Sequence, residues 1–156
     1  MRKWSTIVGV FALVVWAVGC DSNGGGDDGE QLSAAEKILG AWDLTSVGDG
    51  AGDQTPTFLE NFVGIKVAFN GDQTYTLDVD ARDDAQDAAL SGPYTLNEAT
   101  GTLSLTATFA GTQIPLSLNF TFLDDDTLRL SGPASLLNTI LGTTLEGDVS
   151  LTFTRM

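Results

Sequence analysis

Between Gln113 and Phe122 apolar and polar residues alternate without a break. Ile114, Leu116, Leu118, Phe120 and Phe122 share one face of an extended chain, while Gln113, Pro115, Ser117, Asn119 and Thr121 share the other. A helix cannot gather such a pattern onto one side. The segment therefore predicts a strand with one buried and one wet face, as antiparallel sheets allow. Pro115 cannot donate to a ladder, which predicts a bulge or an unpaired position near the strand start.

The same alternation recurs at Ile65-Val67-Phe69, Tyr75-Leu77-Val79, Leu103-Leu105-Ala107-Phe109, Leu128-Leu130 and Val149-Leu151-Phe153. With Trp42-Leu44 and Tyr94-Leu96 this makes eight candidate strands. Asn70-Gly71-Asp72, Asn97 to Gly101, Ala110-Gly111-Thr112 and Asp124-Asp125-Asp126 read as hairpin turns, the last as a solvated tip. Consecutive hairpins predict an all-β fold, an eight-stranded up-and-down antiparallel barrel. Its interior is either filled by side chains or holds one small ligand.

Two helical pieces interrupt the strands. Ser33-Ala34-Ala35-Glu36 is a capping box that opens a short helix, with Gly40 as its stop and Leu39 packed against the barrel. Pro133 to Leu141 places Leu136, Leu137, Ile140 and Leu141 at helical spacing before the last strand, with Gly142 as the stop. That apolar stripe is expected to plug or cover one end of the barrel. Membrane insertion is the competing reading, but the segment is short and poor in basic residues.

The N-terminus carries a different signal. Arg2 and Lys3 precede an apolar run from Ile7 to Val18, and Ala17-Val18-Gly19-Cys20 closes it. As a helix the run spans roughly 18 Å, short of the roughly 30 Å hydrocarbon core of a membrane. It reads as a signal peptide over 1–19. Small residues before a cysteine resemble the lipobox of bacterial lipoproteins, with Ala17 where that pattern usually has Leu. The resemblance implies a lipid on Cys20, cleavage before it, and acylation of the new amino terminus. An ordinary secretory signal would instead leave Cys20 as a stray thiol.

Residues 20–31 would then be the lipidated cysteine and a flexible tether, because Asp21 to Glu30 contains no apolar side chain other than glycine. The domain proper is 32–156. After Cys20 there are five basic and 21 acidic side chains, a charge of about −16. Such a surface repels nucleic acid and anionic lipid head groups. The expected partner is thus a membrane reached through the lipid on Cys20, with the protein otherwise monomeric. For lipoproteins, an aspartate after the cysteine accompanies inner-membrane retention in some bacteria, and acidic residues there accompany surface export in others. The outer membrane or cell surface is the preferred expectation.

A short helix leading into Gly40-Ala41-Trp42, alternating strands, and an arginine in the last strand together resemble the lipocalin-like domains of bacterial lipoproteins. In lipocalins the tryptophan lies at the closed end of the barrel, and an arginine packs across its ring. Arg155 is the matching residue. Parity agrees, since Arg155 continues the inward series Val149, Leu151, Phe153. The pair Trp42 and Arg155 is therefore expected to form a structural cation–π contact.

The chain has no histidine and one cysteine, so imidazole-based triads and imidazole metal sites are excluded. No phosphate-cradling glycine loop stands between a strand and a helix. Asp78, Asp80, Asp83, Asp84 and Asp87 crowd one region, but Arg82 breaks the EF-hand pattern. We expect no enzyme, metal or cofactor. Two functions remain open. One is a binding module, with Trp42, Phe69, Tyr75, Leu105, Phe120 and Phe153 lining a cavity for a small hydrophobic ligand. The other is a structural or interaction module of the cell envelope, inhibitor-like, with a filled core.

Overall fold

A computed structural model describes residues 32–83, 87–109 and 111–156. The signal segment 1–19, Cys20 and the tether lie outside the described residues. The element order is α1 (Ala34–Lys37), β1 (Gly40–Asp49), β2 (Gly52–Asp53), α2 (Thr55–Leu59), β3 (Phe62–Phe69), β4 (Thr74–Ala81) and β5 (Ala88–Asn97), then β6 (Thr102–Phe109), β7 (Thr112–Phe122), β8 (Thr127–Pro133), α3 (Ala134–Leu141) and β9 (Asp148–Arg155). Each long strand pairs antiparallel with the next, and β9 returns to pair with β1. Eight strands thus close into an up-and-down barrel, with the two-residue β2 as an appendage on β1.

Every strand expected from alternation is present, and the reason is visible in burial. Along β7, Leu116, Leu118 and Phe120 are buried and the residues between them exposed. Along β9 Val149, Leu151 and Phe153 are buried, with Ser150 and Thr152 half-buried between them. In β1 the inward parity changes from Trp42 to Val47, because the register with β9 shifts between Leu44 and Ser46. The extra residue of a bulge moves the chain by half a pleat. Pro115 makes no bulge: it stands opposite Thr106 of β6, whereas β8 pairs with β7 only over Asn119–Phe122. Its missing N–H falls where the strand has a single neighbour.

The hairpins follow their turn chemistry. In the β3–β4 turn Asn70 N–H donates to the Thr74 carbonyl and Gln73 N–H to that of Asn70. Gln73, and not Gly71, takes the left-handed conformation there, with φ 63°. All strands and the single apolar core from Ile38 to Phe153 lie within Leu32–Met156. That segment has its own closure and its own core, the requirements for folding alone.

The two ends of the barrel carry different caps. Ser33 caps α1 as the capping box predicts, its hydroxyl accepting from Glu36 N–H while the Glu36 carboxylate accepts from Ser33 N–H. The helix ends at Lys37 with Ile38 as its C-cap, about two residues earlier than a stop at Gly40 implies. Ile38, fully buried, is its packing residue, and Leu39 is half-buried. Gly40 starts β1 and does not stop the helix. At the other end α3 begins after Pro133 and stops at Gly142, whose φ of 65° is the left-handed C-cap that glycine favours. Ala134 and Leu137 point into the core, so α3 covers this end.

Candidate functional site

The sealed end is built around Trp42, whose side chain is fully buried. Helix α1 leaves its last carbonyls without intrahelical donors. Three successive ones are satisfied by two side chains. Arg155 Nη2 donates to the Lys37 carbonyl at 2.6 Å, Trp42 Nε1 to that of Ile38 at 2.8 Å, and Arg155 Nη1 to that of Leu39 at 2.8 Å. The guanidinium carbon lies 4.3 Å from the centre of the Trp42 ring, so the expected cation–π contact is present. This geometry explains the glycine of Gly40-Ala41-Trp42. A Cβ at Gly40 would stand 3.2 Å from Arg155 Nη1, and its φ of +115° suits no other residue.

The β7–β8 hairpin completes the seal, and it is more than the solvated tip expected from the sequence. Lys37 Nζ reaches Asp125 Oδ1 at 2.7 Å, and Arg155 Nε stands 3.4 Å from Asp126 Oδ1. The hydrogen bond from Lys37 holds the Asp125 carboxyl below its ordinary range, aided by the lysine charge. Both aspartates are exposed, so these ion pairs add little stability by themselves. Their effect is to hold the helix end and the hairpin in one place.

Above the seal the barrel holds an apolar cavity of about 60 Å³. Its wall comes from β3, β4, β6, β7, β8, β9 and Leu137 of α3. Four of the six residues expected to line it do so, namely Phe69, Tyr75, Leu105 and Phe153. Trp42 and Phe120 are inward but not in the wall. Trp42 belongs to the sealed end, and its ring lies 6.2 Å from that of Phe122, which in turn meets the Phe120 ring at 6.0 Å. Alternation reports which face is inward but not how deep along the barrel a residue sits.

Tyr75 is the one wall residue with a polar side-chain atom, but the surface facing the cavity is apolar, so the hydroxyl is not presented to it. Tyr75 is 1% exposed, and its oxygen is buried with no hydrogen-bond partner. Burial pushes its phenol pKa up, so it stays protonated. The other tyrosine differs: Tyr94 donates to the Asn70 carbonyl at 3.1 Å. Leaving a donor unpaired inside a protein costs about 1–3 kcal/mol. Among the described residues no charged side chain is buried, so nothing in the wall could neutralise an ion.

Sequence reasoning missed a second concavity at the α3 end. Gln54, Thr57, Phe58, Asn61 and Phe62 face Gly142 to Leu145 across a cleft of about 200 Å³. Phe58 and Phe62 stack there at 4.4 Å. The cleft depends on α2, whose five residues are too few to show a period, although Pro56 at its first turn was a legible start signal. The five acidic residues expected together do not form one cluster, although Asp78 and Asp80 share a groove on the outer face with Asp43 and Lys66. Asp78 and Asp80 lie on β4, Asp87 accepts from Ala81 N–H, and Asp84 lies outside the described residues. Among the described residues no cluster of three or more potential ligands could hold a metal.

No known protein family matches the chain, and no curated protein is similar to it. The geometry of the barrel therefore carries the functional argument.

Proposed function

We propose that this chain is a lipoprotein with a lipocalin-like domain, anchored through a lipid on Cys20 to the outer membrane or cell surface, whose barrel takes up a small hydrophobic molecule. The observation that supports the binding role is the apolar cavity inside the barrel, walled by aliphatic and aromatic side chains. We assign it no reaction. The anchor rests on Gly19-Cys20 after the apolar run, and the lipocalin likeness on Gly40, Trp42 and Arg155.

Size favours a second reading. Ligand pockets usually hold about 300–1,000 Å³, several times what this barrel encloses. A non-enzymatic envelope module with a filled core, acting through its loops or outer face, fits that number. Binding a longer molecule would require Leu137 and α3 to shift.

Two measurements separate these readings. Leu32–Met156, purified without detergent, is examined by native mass spectrometry and then titrated with medium-chain compounds against Trp42 fluorescence. A retained or titratable apolar ligand supports the binding module; its complete absence leaves the filled-core module. For the anchor, metabolic labelling of the full chain with an alkyne palmitate should tag the wild type and not Cys20→Ser. Equal labelling of both would refute the assignment of Cys20.

A further inference from the structure

We propose that the cleft between α2 and the exit loop of α3 is a binding site for a single neutral sugar unit, a pyranose ring that carries hydroxyls and no ionised group. The site is separate from the barrel cavity and stands whether or not that cavity takes a ligand. Three observations carry it.

The first is that both walls are fixed before any ligand arrives. On one side Asn138 holds the exit loop with its single side chain. Its Oδ1 accepts from the Thr143 hydroxyl at 2.8 Å and from Leu145 N–H at 2.9 Å, and its Nδ2 donates to the Leu145 carbonyl at 2.9 Å. On the other side Gln54 N–H donates to the Val47 carbonyl and Thr55 Oγ1 accepts from Val47 N–H at 2.9 Å, which fastens α2 to β1. Asp49 joins the two walls: one carboxylate oxygen accepts from Gln54 Nε2 at 3.1 Å and the other from Glu146 N–H at 3.1 Å. A site already in place loses less binding free energy to ordering.

The second is the set of polar groups in those walls. The amide nitrogens of Gln54 and Asn61 are committed within the protein, to Asp49 and to the Thr57 carbonyl, which leaves their amide oxygens as acceptors. Among the described residues the hydroxyls of Thr57 and Thr144 have no protein partner. Thr57, Asn61 and Thr144 are exposed, so a ligand can reach them. Sugar hydroxyls both donate and accept, and such a mixture answers both kinds of group.

The third is the balance of charge and carbon. After Cys20 the chain carries 21 acidic side chains against five basic ones, yet every residue lining the cleft is uncharged. An anion would meet the negative field of the protein with no cation to receive it, and a cation would find no carboxylate in the wall. Leu145 and the buried, stacked pair of Phe58 and Phe62 give the same cleft an apolar side. A sugar ring matches that division, with C–H bonds on its faces and hydroxyls around its rim. The volume of about 200 Å³ limits the ligand to a single ring.

The test titrates Leu32–Met156 with the neutral methyl pyranosides of glucose, galactose, mannose and N-acetylglucosamine, with glucuronate and glucosamine as charged counterparts, and follows amide signals by NMR. At least one neutral glycoside should shift the signals of residues 54–62 and 142–145 in a saturable way, at lower concentration than either charged sugar. Asn61→Ala on one wall and Thr144→Val on the other should each weaken that glycoside by about fivefold, the loss of one neutral hydrogen bond. Unmoved signals from β5 to β7 show that each variant is folded. If none of the four glycosides shifts the cleft signals, or if the shifts fall elsewhere on the barrel, the site is refuted. Unchanged affinity in both variants would refute it as well. Tighter binding of glucuronate or glucosamine would overturn the neutral class.

Discussion

Arg155→Ala removes the residue that ties α1 to the barrel, and its cost can be worked from the contacts. The guanidinium donates to the carbonyls of Lys37 and Leu39, and truncation leaves both helix-end acceptors unpaired. Hydrogen bonds from a charged donor contribute about 1.5 kcal/mol each at the low end of their range. The stack on Trp42 adds about 1 kcal/mol, taken below the desolvated value because the arginine side chain is 30% exposed. The pair with exposed Asp126 adds roughly nothing. The total is a loss of about 3–4 kcal/mol. With a urea dependence of roughly 1.5 kcal/mol per molar, the unfolding midpoint of Leu32–Met156 should fall by about 2 M. Trp42 is the only tryptophan in that segment, so its fluorescence follows the transition and its native emission should shift as the ring loses its cover. Arg155→Lys should lose about half as much, because one ammonium cannot serve two carbonyls and stack flat at once. Salt separates the causes: contacts with neutral carbonyls and a ring persist at about 1 M salt, whereas exposed ion pairs are screened. A midpoint within about 0.3 M of wild type, or a loss that disappears in high salt, would refute the assignment of the seal to Arg155.

The other perturbations test the interior and the rim. Tyr75→Phe should raise stability by about 1 kcal/mol in the absence of ligand, seen as a higher melting temperature, because it removes a buried unpaired donor. Gly92→Ala should destabilise by about 3 kcal/mol or more in urea titration, since its Cβ would meet the Thr106 backbone oxygen at 1.9 Å; a silent substitution would show that β5 and β6 can separate. Asp49 accepts N–H bonds from Glu146, then Ala51, and they lower its pKa below the ordinary carboxylate value of 3.8. A lowered folded pKa means that its stabilisation is complete above the unfolded value and lost as pH falls through the folded one. Stability measured from pH 5 down to about pH 2 should therefore fall less steeply in Asp49→Asn than in wild type.

The strands were legible because each buries one face, and a period of two survives any detail of packing. The lipocalin resemblance pointed to Arg155 over Trp42, and the same parity agreed with it, given that first and last strands meet. What parity cannot supply is depth, which is why Trp42 and Phe120 were expected in a cavity wall that they do not reach. Nor does it supply local spacing. Leu39 and Ile38 are neighbours with similar side chains, and only the turn by which α1 ends selects Ile38 for the core. Gly92 stands before Pro93 inside β5, where a glycine marks close backbone approach but its partner strand is not legible from sequence. The cavity volume and the unpaired Tyr75 oxygen depend on rotamers, which no pattern of residue types encodes.

The unequal construction of the two ends decides where a ligand would enter. At the sealed end, side chains from β1 and β9 grip the terminal carbonyls of α1, and Lys37 adds a tie to the β7–β8 hairpin. Opening there would strand several polar groups at once. At the other end α3 contributes Ala134 and Leu137 to the core, while Asn138 spends its side chain on the helix's own exit loop, bonding Thr143 and Leu145. That loop is tied to the rim through Asp49, which accepts from Glu146 N–H. Among the described side chains, α3 and its loop bury Ala134 and Leu137 and pack Leu145 against the core, and the loop meets the rim again where Gly50 N–H donates to the Glu146 carbonyl. Leu137 is also part of the cavity wall, so an opening at the α3 end would lead into the barrel cavity.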